Sequence, residues 1–263
     1  MKETLVMEPF NALFIGIFAA LILLLILVSL FLRKKSIETR KKVLVIASLL
    51  TLIGFVIYKY CLSMDAEFDA IRTSIGMGGF NWWGELPLHL CNINMILIPI
   101  AVLKDKRELL AFCFFVGPLG AMMALSMPGV EFSGVSILLP RMLGFYGTHF
   151  LIVIECLAIV TFGLYRPSFK DMPRTILTII LIALSVFAFN MILRLTGIFP
   201  KANYFYSVET EGNVALELFH SWIPFPFLYL LPSIPILAVY ISIVTTGFAI
   251  ADKRKEKVTV RVE

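Results

Sequence analysis

The sequence predicts an all-α, polytopic membrane protein of seven transmembrane helices, with the N-terminus outside and the C-terminus in the cytoplasm. Three observations lead there. Of 263 residues, 59% are hydrophobic and only 16% charged, with a mean hydropathy of +0.92; soluble domains hold about 25% charge. The apolar residues gather into seven runs near the ~20 residues that a helix needs to cross a bilayer. The Lys and Arg residues collect in alternate linkers. This composition excludes a soluble globular or a disordered chain, and the length suits a single membrane domain over 1–263.

The expected spans are 10–32, 43–60, 85–103, 109–126, 142–165, 175–197 and 219–250. The first is too long for a cleaved signal peptide, and its start, with Glu3 and Glu8, is too acidic. The last carries Pro224, Pro226, Pro232 and Pro235, so its start reads as a kinked or interfacial stretch, with the span proper beginning near Pro235. Orientation follows from the basic residues. Arg33, Lys34, Lys35, Arg40, Lys41 and Lys42 follow the first span, Lys104, Lys106 and Arg107 the third, and Arg166, Lys170 and Arg174 the fifth. A basic tail, about 252–263, holds Lys253, Arg254, Lys255, Lys257 and Arg261. The opposite ends are poorer in basic residues and carry Asp65, Glu67, Asp69, Glu209 and Glu211. Basic residues concentrate on the cytoplasmic side, so these runs read as topology signals, and the net charge of +5 implies no nucleic-acid partner. Trp82, Trp83 and Trp222 read as an outer aromatic belt.

Polar groups inside spans are costly and point to function. The third span opens with Glu85, Pro87, His89, Cys91, Asn92 and Asn94. Pro87 suits a first helical turn, and on a regular helix Glu85, His89 and Asn92 share one face. His149 lies roughly 12 Å below the start of the fifth span at 1.5 Å per residue. Asn190 and Arg194 occupy the last turns of the sixth span, and His220 opens the seventh. All three histidines thus fall in the outer half. Histidine suits proton transfer near neutral pH, and a Cys, two His, a Glu and Asn donors can supply a nucleophile, a base and an oxyanion site. On a regular helix His89 and Cys91 stand about 200° apart, so His149 is the better base for Cys91.

The plainer readings are helix-packing hydrogen bonds for His89 and His149, a loop contact for His220, an inert buried thiol at Cys91, and a snorkelling Arg194. Cys61, Cys113 and Cys156 read as packing residues. Glu155, near mid-span, calls for a partner or a proton. Nothing calls for a cofactor or a metal; a His/His/Glu zinc site is geometrically possible but is disfavoured by its ligand count. A Lys in the seventh span, needed for a Schiff base, is missing, which excludes a retinal-type photoreceptor. A transporter or lipid-binding protein without covalent chemistry is the alternative reading; an internal repeat that would favour it is not evident.

The run Leu86-Pro87-Leu88-His89-Leu90-Cys91-Asn92 resembles the LPLxLC signature of the YwaF-like family of bacterial membrane proteins. Lys201-Ala202-Asn203-Tyr204-Phe205-Tyr206 resembles that family's G-A-N-Y-x-Y stretch, with Lys201 where Gly is usual, and Phe145 to His149 resembles its FxxxH span. The family is similar to the transmembrane protein 164 family of acyltransferases, which move a fatty acyl chain between phospholipids through a cysteine thioester; more distantly the fold resembles the androgen-induced-gene hydrolases. The resemblance implies a Cys-plus-His acyl-transfer site in a bacterial cytoplasmic membrane, acting on phospholipids. One departure stands out. The eukaryotic proteins place the Cys just before the His of the third span, where this chain has Leu88; Cys91 lies one turn further on. His89 and His149 match directly. The expected catalytic residues are therefore Cys91, His89 and His149, with Glu85, Asn92, Asn190, Arg194, Asn203 and Tyr204 at the substrate.

Overall fold

The computed structural model describes residues 5–260, with side chains to Arg254. Glu3 and Arg261, and the side chains of Lys255 and Lys257, lie outside the described residues. Six helices among those described are long and apolar enough to cross a membrane, and the chain divides into two compact units.

The first unit holds residues up to 106 and 113–164. Helix α1 (Ala12–Leu32) starts at Asn11, whose side chain accepts the Phe14 N–H, a standard N-cap. It is apolar all round, and Leu23, Leu24, Leu27 and Phe31 are exposed, as suits a surface that faces lipid rather than water. Arg40 donates to the carbonyls of Leu32, Arg33 and Lys35 and to that of Phe162. This basic residue therefore satisfies helix-end carbonyls besides signalling topology.

Helix α2 (Ile37–Leu62) is capped by Ser36. It is longer than its apolar run, because Glu38 to Lys42 are good helix formers. Its buried side, Leu44, Ser48, Thr51, Phe55, Tyr58, Lys59 and Leu62, repeats at three- and four-residue spacing and packs on α6 (Pro140–Thr161). Gly144 of α6 sits directly on Tyr58: a Cβ built there would lie 2.1 Å from the ring. Phe14 of α1 packs edge-on to Tyr146 and Phe150 of α6. A short helix, α3 (Ala66–Ser74), is capped by Asp65, and α5 (Arg107–Ser126) gives its residues from 113 on to this unit. Two two-residue strands, β1 (Val6–Met7) and β2 (Val135–Ser136), pair antiparallel beside the helices.

The third expected span differs. Its helix, α4 (Asn94–Leu103), has only ten residues, about 15 Å of rise against a core of roughly 30 Å. Residues 85–93 form turns instead, held by Leu88 N–H to Leu86 O, Ile93 N–H to His89 O and Asn94 N–H to Cys91 O. Glu85, His89 and Asn92 thus share no helix face, and Pro87 opens no helix. Asn94 is the physical cause: its side-chain amide donates to the carbonyls of Leu90 and Cys91, so the side chain competes with helical pairing of the backbone.

The second unit holds residues 107–112 and 165 onward. Helix α7 (Met172–Leu195) leads into a loop, then comes α8 (Val214–Trp222), and α9 (Ser233–Val260) runs to the end of the described chain. The four prolines of the last expected span fall between α8 and the first turn of α9, where a missing N–H costs least. The kinked start expected there is a separate short helix followed by turns.

Candidate functional site

Cys91 comes from the turn before α4 and His149 from the third turn of α6. Both are buried, at 7% and 6% exposure. Cys91 Sγ lies 3.4 Å from His149 Nε2. The other ring nitrogen, Nδ1, lies 2.7 Å from the Phe145 carbonyl. A carbonyl can only accept, so Nδ1 carries the proton and Nε2 presents its lone pair to the thiol. Nucleophile, base and orienting group are thus in hydrogen-bond series. The Asn92 side-chain oxygen, 3.6 Å from Sγ, is the thiol's other acceptor.

The turn that carries Cys91 also supplies donors. The backbone N–H groups of Cys91 and Asn92 lie on the same turn as the sulfur and make no backbone hydrogen bond among the described residues. Such N–H groups can receive negative charge on sulfur or on a substrate oxygen. Gly120 of α5 lets this backbone pack closely: a Cβ there would stand 3.3 Å from the Cys91 nitrogen. His89 lies within electrostatic range of both His149 and Glu85.

Glu85 belongs to the same unit. Its carboxylate accepts from Lys59 Nζ at 2.6 Å and from Arg72 Nη1 at 3.1 Å. All three side chains are mostly buried. Lys59 also lies over the rings of Phe55 and Tyr58, and its charge reaches Cys91, His89 and His149. Sequence reasoning placed no role on Lys59 or Arg72. The available signal was a single Lys near the end of an apolar run, which the charge count absorbed. Glu155, for which no partner was evident, accepts from Thr51 Oγ1 across the α2–α6 contact.

The remaining expected substrate residues belong to the second unit and brace its loop. Asn190, fully buried, donates to Tyr204 O and Ser207 Oγ and accepts the Tyr204 N–H. Arg194 donates to Ala202 O and pairs with Glu209. Asn203 donates to Glu209 O and Glu211 Oε1 and accepts two backbone N–H groups. The Tyr204 ring is buried. The K-A-N-Y run thus sets a loop conformation through its Asn side chains. His220 stacks edge-on against Tyr229 in the same unit. Among the described residues no group of three or more His, Cys, Asp or Glu is arranged to hold a metal ion.

No curated protein and no solved structure matches the chain. The model of the TMEM164 family matches residues 6–246, a stretch that takes in every helix from α1 to α8, the first half of α9, and both members of the Cys91–His149 pair. The chain is a multi-pass membrane protein and belongs to the TMEM164 family.

Proposed function

We propose that this protein is a membrane acyltransferase or acyl-ester hydrolase acting on phospholipids, with Cys91 as nucleophile and His149 as base. The observation that carries the reading is the 3.4 Å approach of Cys91 Sγ to a His149 nitrogen whose lone pair is fixed toward it. In the first half-reaction His149 Nε2 takes the thiol proton and the sulfur attacks the ester carbonyl carbon. The backbone N–H groups of Cys91 and Asn92 receive the oxyanion. The C–O bond then breaks, the imidazolium protonates the departing lysophospholipid oxygen, and a thioester remains. In the second half-reaction an acceptor hydroxyl or water gives its proton to His149 and attacks the thioester, which restores the thiol. His89, within range of Glu85, orients the departing oxygen toward the His149 imidazolium.

The alternating Lys and Arg linkers support an N-terminus outside and a C-terminus inside. That orientation makes residues 85–103 a seventh crossing, half helix and half turn; nine residues at up to ~3.3 Å each add ample reach to the ~15 Å of α4. Irregular backbone at membrane depth is tolerated where protein buries it or where it lines a cavity, and here it holds the nucleophile. The LPLxLC-like run supports a bacterial cytoplasmic membrane.

The test is intact-protein mass spectrometry after reconstitution in defined phospholipid. The wild type is expected to carry a hydroxylamine-labile fatty acyl adduct that Cys91→Ala and His149→Ala both lack. Lysophospholipid release without an adduct would keep the enzyme and remove Cys91 as nucleophile. Neither adduct nor release would overturn the reading in favour of a transporter or lipid carrier.

A further inference from the structure

A second polar site lies in the other unit, where the starts of α5 and α7 meet the far part of α9. An open cavity of about 480 Å³ is lined there by Arg107, Arg166, Ser168, Phe169, Thr245 and Asp252, among others. Each arginine is held by an aspartate along one edge. Arg107 donates Nε and Nη2 to Asp171 at 2.7 and 2.8 Å. Arg166 donates Nε to Asp252 Oδ2 at 3.1 Å and Nη2 to Asp252 Oδ1. Their rear faces lie on Tyr165 and Phe248. Fixed this way, neither guanidinium uses its Nη1 in a hydrogen bond to the described protein.

Thr245 points to an occupant. It is 1% exposed and lines the cavity, yet its hydroxyl has no partner. Its neighbours on α9 behave otherwise: Ser242 and Thr246 donate back to the carbonyls of Ala238 and Ser242, the ordinary solution for a hydroxyl in an apolar helix. A buried hydroxyl without a partner costs free energy, and this one lines the same cavity as two oriented cations. The surrounding helix ends add Lys170, Arg174, Lys253 and Arg254 against Glu108 alone, so the local charge is positive. Phe169, half exposed at the same cavity, gives an apolar wall beside the charges.

We propose that this cavity binds the phosphate group of an anionic phospholipid, held by the Nη1 groups of Arg107 and Arg166 and by the Thr245 hydroxyl. Oriented guanidiniums and a hydroxyl match tetrahedral phosphate oxygens, and the basic end of a membrane bundle is where anionic headgroups gather. The aspartates set the arginine geometry and leave one edge of each free for the ligand.

Native mass spectrometry of the full-length protein in neutral detergent tests this. The probes are phosphatidylglycerol, phosphatidylcholine and inorganic phosphate. Wild type is expected to retain phosphatidylglycerol well above phosphatidylcholine. Thr245→Val keeps shape and removes the hydroxyl; it should weaken phosphatidylglycerol binding about tenfold, one hydrogen bond to a charged group. Arg166→Gln should weaken it further. If Arg166→Gln fails to fold, Thr245→Val still decides, because it disturbs no ion pair. Unchanged binding in Thr245→Val would overturn the site. Equal retention of phosphatidylcholine would overturn the anionic preference. Displacement of the lipid by millimolar inorganic phosphate would overturn the lipid assignment in favour of a free anion.

Discussion

Glu85 holds two cations, and the consequences of removing each member of the triad are unequal. Its side chain is 9% exposed, and those of Lys59 and Arg72 are 11% and 17%. Glu85→Gln leaves both cations buried with no counter-charge; breaking a buried ion pair from one side costs about 3–5 kcal/mol. Lys59→Met leaves Glu85 still paired with Arg72 at 3.1 Å, and the methionine keeps the apolar stem over Phe55 and Tyr58. Its cost should be about 1.5–3 kcal/mol, the range for one charged hydrogen bond. The double variant leaves Arg72 alone, so it should be about 1–2 kcal/mol more stable than the sum of the single changes predicts. The assay is equilibrium unfolding of the full-length protein in mixed micelles, titrated with sodium dodecyl sulfate. Equal losses in the two single variants, adding without coupling, would refute the claim that one buried carboxylate serves both cations.

Gly144→Ala should separate α2 from α6, because the new Cβ would stand 2.1 Å from Tyr58 Cδ2 and 2.8 Å from Tyr58 Cβ, too near the backbone for the ring to swing clear; a loss of about 1–3 kcal/mol, read by the same titration, is expected. Partial burial raises the Asp65 carboxyl, but the Phe68 N–H and the Arg141 guanidinium outweigh it and hold the group below its ordinary value of 3.8. A carboxyl depressed on folding stabilises above its unfolded value and loses that contribution as pH falls through the folded one. The stability difference between wild type and Asp65→Asn, followed by thermal unfolding from neutral pH downward, should therefore shrink toward zero in acid; a difference that grew instead would refute the assignment. Asn203→Ala removes four loop hydrogen bonds and should loosen the loop before α8, seen as faster amide hydrogen exchange at Val208 and Glu209, whose N–H groups bond to the Asn203 side chain.

Six of the seven expected spans correspond to long helices, because bilayer thickness fixes the length of an apolar helix and the Lys and Arg runs mark its ends. Boundaries slipped where charged residues form helix as readily as apolar ones, as at Glu38 to Lys42. The third span's first half differs from the expected helix for another reason. The run Glu85 to Asn94 has helical spacing and an apolar background, and neither feature reports that the Asn94 amide binds the Leu90 and Cys91 carbonyls. The pairing of Cys91 with His149 was legible because each sat at a similar depth from one end of its span. The Lys59–Glu85–Arg72 triad was not, since Lys59 and Arg72 lie 26 and 13 residues from Glu85 in the chain and only tertiary packing joins them. Asn190, Arg194 and Asn203 were legible as polar groups at a span's end, but the sequence does not say whether such groups face a ligand or their own loop.

The group that orients His149 is a backbone carbonyl, which no residue type in the sequence marks. His149 donates Nδ1–H to the Phe145 carbonyl, four residues back in its own helix. That carbonyl has two lone pairs, one for the helix and one for the ring, so any well-packed helical histidine can be oriented this way without a carboxylate. A neutral carbonyl stabilises an imidazolium less than a carboxylate does, so the proposed base would be a weak one. A hydroxyl nucleophile would need a stronger one. A thiol needs less help, being the more acidic and more nucleophilic group, and it gains donors from the turn on which it sits. The proposed chemistry uses the departure of residues 85–93 from helix: the same turn brings Cys91 Sγ within 3.4 Å of His149 Nε2 and leaves the N–H groups of Cys91 and Asn92 without a backbone partner among the described residues.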